Sequence, residues 1–270
     1  MILVNGIEAD SISPRDRGLM YGDGVFRTLP VRDGAPICWP QHFLKLDADC
    51  AALKIACPSW DILDGELKTL AARERDCAVK IVVTRGLGAR GYAVAPGQQA
   101  SRILMSSPLP QYPDSLAESG VRLHLCRIRL SHQPLLAGVK HLNRLENILA
   151  RMEWDDPEIA EGLLLDGDGN VVEGTMSNLF VLQGDALYTP ELARCGVAGV
   201  QRQRIMALAP RLGLRILEQR FALDFLLQAD EVMLCNSLIG VWPVQALAGK
   251  TWARHDLAHK LRHMLHAEND

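Results

Sequence analysis

The sequence predicts an α/β (α+β) protein of two domains. Three observations carry that expectation. Strand-like runs and amphipathic helices occur in both halves of the chain. A stretch holding three prolines, SPLPQYPDS at 107–115, separates those halves. The chain has 270 residues, 48% of them hydrophobic, which is enough for two moderate cores. The expected organisation is an N-terminal α/β domain at 1–108, a linker at 109–120 and a C-terminal α/β domain at 121–270.

The elements follow in order. ILVNGIEA reads as a hairpin around Asn5-Gly6, and Pro14 to Gly18 as a short turn or helix. YGDGVF then leads into a strand, an Asp33-Gly34 turn and a second strand. Pro40 to Ile55 is an amphipathic helix whose inner stripe holds Phe43, Leu46, Cys50 and Leu53, and Trp60 to Arg75 is a second helix. Val79 to Thr84 is a buried type of strand. It runs into the glycine-rich loop RGLGARGYAVAPG, and Ser101 to Leu109 is a further strand.

In the second half, Val121 to Leu130 is a strand, and Leu142, Leu145, Ile148 and Leu149 recur at helical spacing. GLLLDGDGNVVEG and SNLFVLQGDALYTP are two hairpins. A helix starts directly after Gly199. LRILEQ, a short helix at Asp224 to Gln228, EVMLCNS, VWPVQALAG and a helix from His255 to His266 complete the chain.

The net charge of −3 gives no reason to expect nucleic acid or an anionic membrane surface as partner. No window reaches the apolar length of a membrane span, and MILVNGIEAD lacks the pattern of a secretory signal. Cys38, Cys50, Cys57, Cys77, Cys126, Cys195 and Cys235 are odd in number, scattered and without a CxxC pair. They suit a reducing cytoplasm, free thiols and no zinc module. His255, His259 and His263 share a helix face but have no carboxylate or cysteine at matching spacing, so no metal site is expected. His124 and His141 read as packing histidines, and Trp39, Trp60 and Trp154 as core or interface. Nothing marks Cys235 as a nucleophile.

Lys140 is the residue the chemistry turns on. It stands between the strand ending at Leu130 and the helical pattern, among Leu, Ala, Gly and Val. Such neighbours strip hydration from an ammonium and lower its pKa, as a Schiff-base amine requires. Taken alone it reads first as a surface lysine at a helix start. Arg85, Arg90 and Tyr92 sit among the loop glycines, where guanidinium forks suit a carboxylate, or simply face water. Glu173 ends a strand of alternating apolar residues, directly before Gly174.

AGVKHLNRLENIL, followed some thirty residues on by VVEGTMSNLFVL, resembles the lysine and glutamate segments of the fold-type IV pyridoxal-phosphate enzymes. That family holds branched-chain and D-amino acid aminotransferases and 4-amino-4-deoxychorismate lyase. The resemblance runs from about Asn5 to Val244 and includes YGDGVF, the TRG loop, the GVQR helix start and EVMLCNSLIGVWPV. KHLNRLE, GARGY and the NxxxxVxPV end look most like the lyase members.

The resemblance implies the two-domain architecture of D-amino acid aminotransferase, a homodimer and pyridoxal 5'-phosphate as cofactor. Lys140 would carry the cofactor aldehyde and act as base and then acid, and Glu173 would face the pyridine nitrogen. Gly199, Val200 and Gln201 at the helix start would hold the phosphate, with Asn236 and Ser237 closing the cup. Lys45 stands where the family generally has a phosphate-binding arginine, and Arg144 where the aminotransferases tend to place a tyrosine. Arg90 and Tyr92 are candidates for a substrate carboxylate, and Thr28 for orienting lysine or substrate. The implied activity converts 4-amino-4-deoxychorismate to 4-aminobenzoate and pyruvate, for folate biosynthesis. A D-amino acid or branched-chain aminotransferase is the alternative, and a cofactor-binding scaffold without turnover a second one.

Overall fold

The computed structural model describes residues 1–268, so residues 269 and 270 of the expected C-terminal domain lie outside the described residues. The chain divides into two compact units. The first comprises Met1–Pro110 together with Val139–Asn143, and the second Gln111–Gly138 with Arg144–Asp270. Lys140 therefore belongs to the first unit, although its place in the sequence put it with the C-terminal half.

The first unit contains β1 (Ile2–Val4), β2 (Ile7–Glu8), α1 (Arg17–Tyr21), β3 (Gly24–Arg32), β4 (Ala35–Pro36), α2 (Trp39–Ala52), α3 (Trp60–Arg73), β5 (Cys77–Thr84) and β6 (Ser101–Ser107). Its strands form one antiparallel sheet in the order β2-β1-β6-β5-β3-β4. Asn5 and Gly6 both take positive φ, 51° and 84°, as a two-residue turn matched to strand twist requires. Leu29, Val31, Val79, Ile81 and Leu104 of the sheet pack on Leu46 and Cys50 of α2 and on Leu63, Leu67 and Leu70 of α3. Each of those leucines, fully buried, contributes about 1.5–3 kcal/mol.

The second unit contains α4 (Ser115–Glu118), β7 (Val121–Leu130), α5 (Leu145–Arg151), β8 (Ile159–Asp166), β9 (Val171–Gly174), β10 (Asn178–Gln183), β11 (Ala186–Pro190), α6 (Val200–Leu208), β12 (Arg215–Gln219), α7 (Leu223–Leu227), β13 (Glu231–Asn236), β14 (Gly240–Leu247), β15 (Lys250–Thr251) and α8 (Asp256–Ala267). Its nine strands run β12-β11-β10-β13-β14-β7-β8-β9, with β15 beside β14. The sheet is apolar on both faces, which explains its near-continuous hydrophobic strands. Leu179 and Val181 of β10 join one core with Val232, Leu234 and Trp242. Phe180 and Leu182 join another, under Ile205 and Leu208 of α6 and Leu257, Leu261 and Leu265 of α8.

The helix expected straight after Lys140 starts later, at Leu145. Residues 139–143 are instead bound to β3: Val25 bridges His141, and the Leu142 N–H donates to the Gly24 carbonyl at 2.9 Å. The apolar spacing is helical from Leu145 onward, but its stripe is not core. Leu145, Ile148, Leu149 and Met152 are 53–74% exposed.

Candidate active site

In the first unit, β3 and α2 fix the backbone of Lys140 from two directions. The Phe26 N–H donates to the Lys140 carbonyl at 2.9 Å, and the Lys140 N–H donates to Asp49 Oδ2 of α2 at 3.3 Å. The side chain is half-buried, with Nζ 4.8 Å from the centroid of the Phe26 ring. Lys80, on neighbouring β5, approaches the same ring to 4.9 Å. Thr28 shares the β3 face of Phe26, two residues on, and pairs in register with Lys80.

Asp49 is a hub. It lies three residues after Leu46, so the helix turns it inward, and it is 1% exposed. Its carboxylate meets the Lys45 ammonium and the Arg27 guanidinium. Burial pushes the Lys45 amine below its ordinary value, Asp49 opposes this, and the charge of Arg27 adds to it. Burial likewise lowers the pKa of Arg27, against the Asp49 charge. Arg27 was read only as part of a strand. The available signal was alternation: Val25, Leu29 and Val31 are core residues, so a charge between them faces inward.

The loop after β5 is organised by Arg17, which is 4% exposed. Its guanidinium donates to the carbonyls of Gly91 (3.0 Å), Tyr92 (3.2 Å) and Ala93 (3.4 Å), and to Asp23 at 2.8 Å. Tyr92 also rests on Tyr21, with ring centroids 5.4 Å apart. Arg90 and Tyr92 are exposed on this loop. Arg85, expected as a second carboxylate fork, is committed elsewhere. It binds Asp23 at 2.8 and 3.0 Å and the carbonyls of Leu53 and Lys54. Burial raises the Asp23 pKa, but its bonds to Arg85 and Arg17 outweigh that and hold the carboxyl below its usual range.

In the second unit, Glu173 of β9 is 3% exposed. Its Oε2 accepts the Val197 N–H at 2.8 Å and the Asn178 amide at 3.5 Å. Asn178 in turn donates to the Val197 carbonyl at 2.7 Å and accepts the Gly199 N–H at 3.1 Å. One asparagine thus joins the carboxylate to the N-terminus of α6. Gly199 is that helix's N-cap, and a Cβ there would collide with Asn178 Oδ1. Val200 and Gln201 are buried in the first turn, whose N–H groups have no acceptor within the helix.

The Asn236 side chain is bonded to neighbouring backbone. Its Oδ1 accepts the N–H groups of Leu238 (2.8 Å) and Ile239 (2.9 Å), and its amide donates to the Met176 carbonyl at 3.1 Å. It shapes the turn that carries half-buried Ser237. Arg144 precedes α5 and reaches Asn147 at 3.5 Å. A residue unforeseen from sequence, Glu161 of β8, is 1% exposed and holds the turn after Glu173. It accepts the Thr175 and Met176 N–H groups at 3.0 and 3.1 Å and the hydroxyls of Thr175 and Ser177.

The profile of the family described as amino-transferase class IV matches residues 24–247. The chain belongs to this family. Its members are pyridoxal-phosphate enzymes of the fold-type IV architecture, and the mixed α/β structure with two sheets is that fold. The chain is 45% identical to the crystallised 4-amino-4-deoxychorismate lyase from Pseudomonas aeruginosa, covering 99% of each chain with a TM-score of 0.96. It is 35% identical to the aminodeoxychorismate lyase of Vibrio harveyi over 92% of each chain. It is also 31% identical to a putative branched-chain-amino-acid aminotransferase of Methanocaldococcus jannaschii, over 92% of this chain and 88% of that one.

The remaining sequence expectations fall outside this machinery. His124 bonds Glu153 at 3.2 Å and lies on Trp154, and His259 bonds the Glu118 carbonyl at 3.0 Å. Trp39 and Trp154 are buried and Trp60 is 36% exposed. Burial pushes the Cys235 thiol up to about 12, away from any nucleophilic role. Among the described residues His132, Asp166 and Asp168 come within ligand distance of one another. Their carboxylates already serve the Asn170 and Asp168 N–H groups and Arg194.

Proposed function

We propose that this protein is an aminodeoxychorismate lyase, converting 4-amino-4-deoxychorismate to 4-aminobenzoate and pyruvate in folate biosynthesis. The observation that carries the reading is the 45% identity, over 99% of both chains, to the Pseudomonas lyase. The residues suit the cofactor. Arg27 Nε, a buried donor without a hydrogen-bond partner among the described residues, is a feature an anionic group would complete.

When bound, pyridoxal phosphate supplies an electron sink for the carbon that bears the substrate nitrogen. Lys140 would hold the cofactor aldehyde. Its Nζ is the group that would take the proton from that carbon and then give it to the departing enolpyruvyl oxygen. Thr28 orients the lysine or the substrate. Glu173 would keep the ring nitrogen protonated, and Asn178 and the Val197 N–H hold Glu173 in place. Lys45, the first turn of α6 at Gly199, Val200 and Gln201, and Ser237 would hold the phosphate, with Asn236 shaping the Ser237 turn. Arg90 and Tyr92 take a substrate carboxylate.

Two further features belong to the reading. The chain acts as a homodimer, a role supported by the uncovered face of Leu145, Ile148, Leu149 and Met152. It works in the cytoplasm, as its seven free thiols support. No helix is long and apolar enough to cross a membrane among the described residues.

The test is release of pyruvate and 4-aminobenzoate from 4-amino-4-deoxychorismate by the loaded wild type and by Lys140→Ala. Equal release of both products, abolished in the variant, is expected. A wild type that binds the cofactor but releases neither product overturns the lyase. The aminotransferase reading, favoured by the Methanocaldococcus relative, then takes its place.

A further inference from the structure

Arg27 is 2% exposed on β3, and its guanidinium is held by the Asp49 carboxylate. The same carboxylate holds Lys45 and accepts the Lys140 N–H at 3.3 Å. Two cations thus meet at one carboxylate, and burial disfavours both charged forms. Arg27 Nε is a buried donor with no hydrogen-bond partner among the described residues. Such a donor is costly unless an acceptor arrives. An unmet donor on one of two neighbouring cations suits an anion with several acceptor oxygens. A phosphate monoester has that chemistry.

We propose that Arg27 and Lys45 together form the cationic wall for the cofactor phosphate, and that Asp49 is a positioning residue tying this wall to the backbone of Lys140. The proposal rests on the cofactor reading above. It explains how a lysine suffices at position 45: the guanidinium comes from β3 instead of α2. It also couples two events. An arriving phosphate takes over part of the neutralisation of Arg27 and Lys45. Asp49 Oδ2, shared between Arg27 and the Lys140 N–H, is then freer to hold the lysine backbone.

The test compares equilibrium binding of pyridoxal phosphate with that of pyridoxal, which lacks the phosphate. Both are titrated into apoprotein of the wild type, Arg27→Met, Arg27→Lys and Asp49→Asn, followed by quenching of tryptophan fluorescence. Arg27→Met is expected to weaken pyridoxal phosphate about tenfold to hundredfold and to leave pyridoxal unchanged. Arg27→Lys is expected to recover part of the loss. Asp49→Asn is expected to shift the absorbance of bound pyridoxal, which reports the placement of Lys140. Equal losses for both ligands, or none for either, would overturn the proposal. Should Arg27→Met not fold, the ratio of the two affinities in Arg27→Lys decides alone. A wild type that binds neither ligand refutes the cofactor reading itself. A wild type that binds both, with the ratio unchanged in the variants, refutes only the role of Arg27.

Discussion

Replacing Arg17 by methionine keeps the volume of the side chain and removes the guanidinium that spans three successive carbonyls of the loop carrying Arg90 and Tyr92. Hydrogen bonds from a charged donor contribute about 1.5–3 kcal/mol each, but the sum overstates the loss. Tyr92 is 84% exposed, so water reaches the freed loop. Asp23 keeps its bonds to Arg85. A net loss of about 2–4 kcal/mol remains, lowering Tm by roughly 5–12 °C for a chain of this size. The functional cost is separate. A slack loop must be ordered again when substrate binds, at about 1–2 kcal/mol per residue. Ordering one or two residues raises KM about tenfold to hundredfold. Steady-state kinetics, cofactor titration and thermal melting on one preparation separate these effects. The expectation is a raised KM, a smaller change in kcat and unchanged cofactor affinity. A lowered Tm with unchanged KM would show that the loop does not serve the substrate.

The exposed stripe on α5 is tested by the double variant Leu145→Glu/Ile148→Glu. Both positions are more than half exposed, so folding is expected to change little while sedimentation shifts from dimer to monomer. A wild type that sediments as a monomer removes the homodimer. The Asp23 carboxyl, whose pKa is lowered in the folded chain, contributes stability that is full above its unfolded value and is lost as pH falls through the lower folded value. Stability is therefore expected to drop below about pH 4, and Asp23→Asn to flatten that acid limb in a denaturation series. An unchanged limb refutes the assignment.

Much of this was legible in the sequence because it is local. Asn5-Gly6, Asp33-Gly34 and the apolar run Leu179 to Leu182 each announce their structure within a few residues. Gly199 before a helix is a local signal too. The two-faced burial of β10 reads as a continuous apolar run for the same reason. The α5 stripe was legible as helix, but not its exposure. Periodicity reports a face, and it is silent about what covers that face.

The partners of Lys140 were not legible, and the reason is physical. Asp49 lies 91 residues from it, and Arg27 lies 22 residues from Asp49. Arg27 does break the apolar face of its strand, but that signal names no partner, and Asp49 is one polar position among several on α2. The same holds for Glu161, whose ligands are 14 to 16 residues away on the turn beyond β9, and for Asn178, which reaches Val197 and Gly199. Each is a nearly buried polar side chain with several backbone donors or cations around it. Burial of that kind is tolerated only when every strong partner is satisfied. Local sequence therefore singles out Lys140 and Glu173 as candidates, while long-range contacts supply the residues that hold them. Exchange of Arg27 or Asn178 is accordingly expected to weaken pyridoxal phosphate binding in a fluorescence titration although Lys140 and Glu173 are both retained.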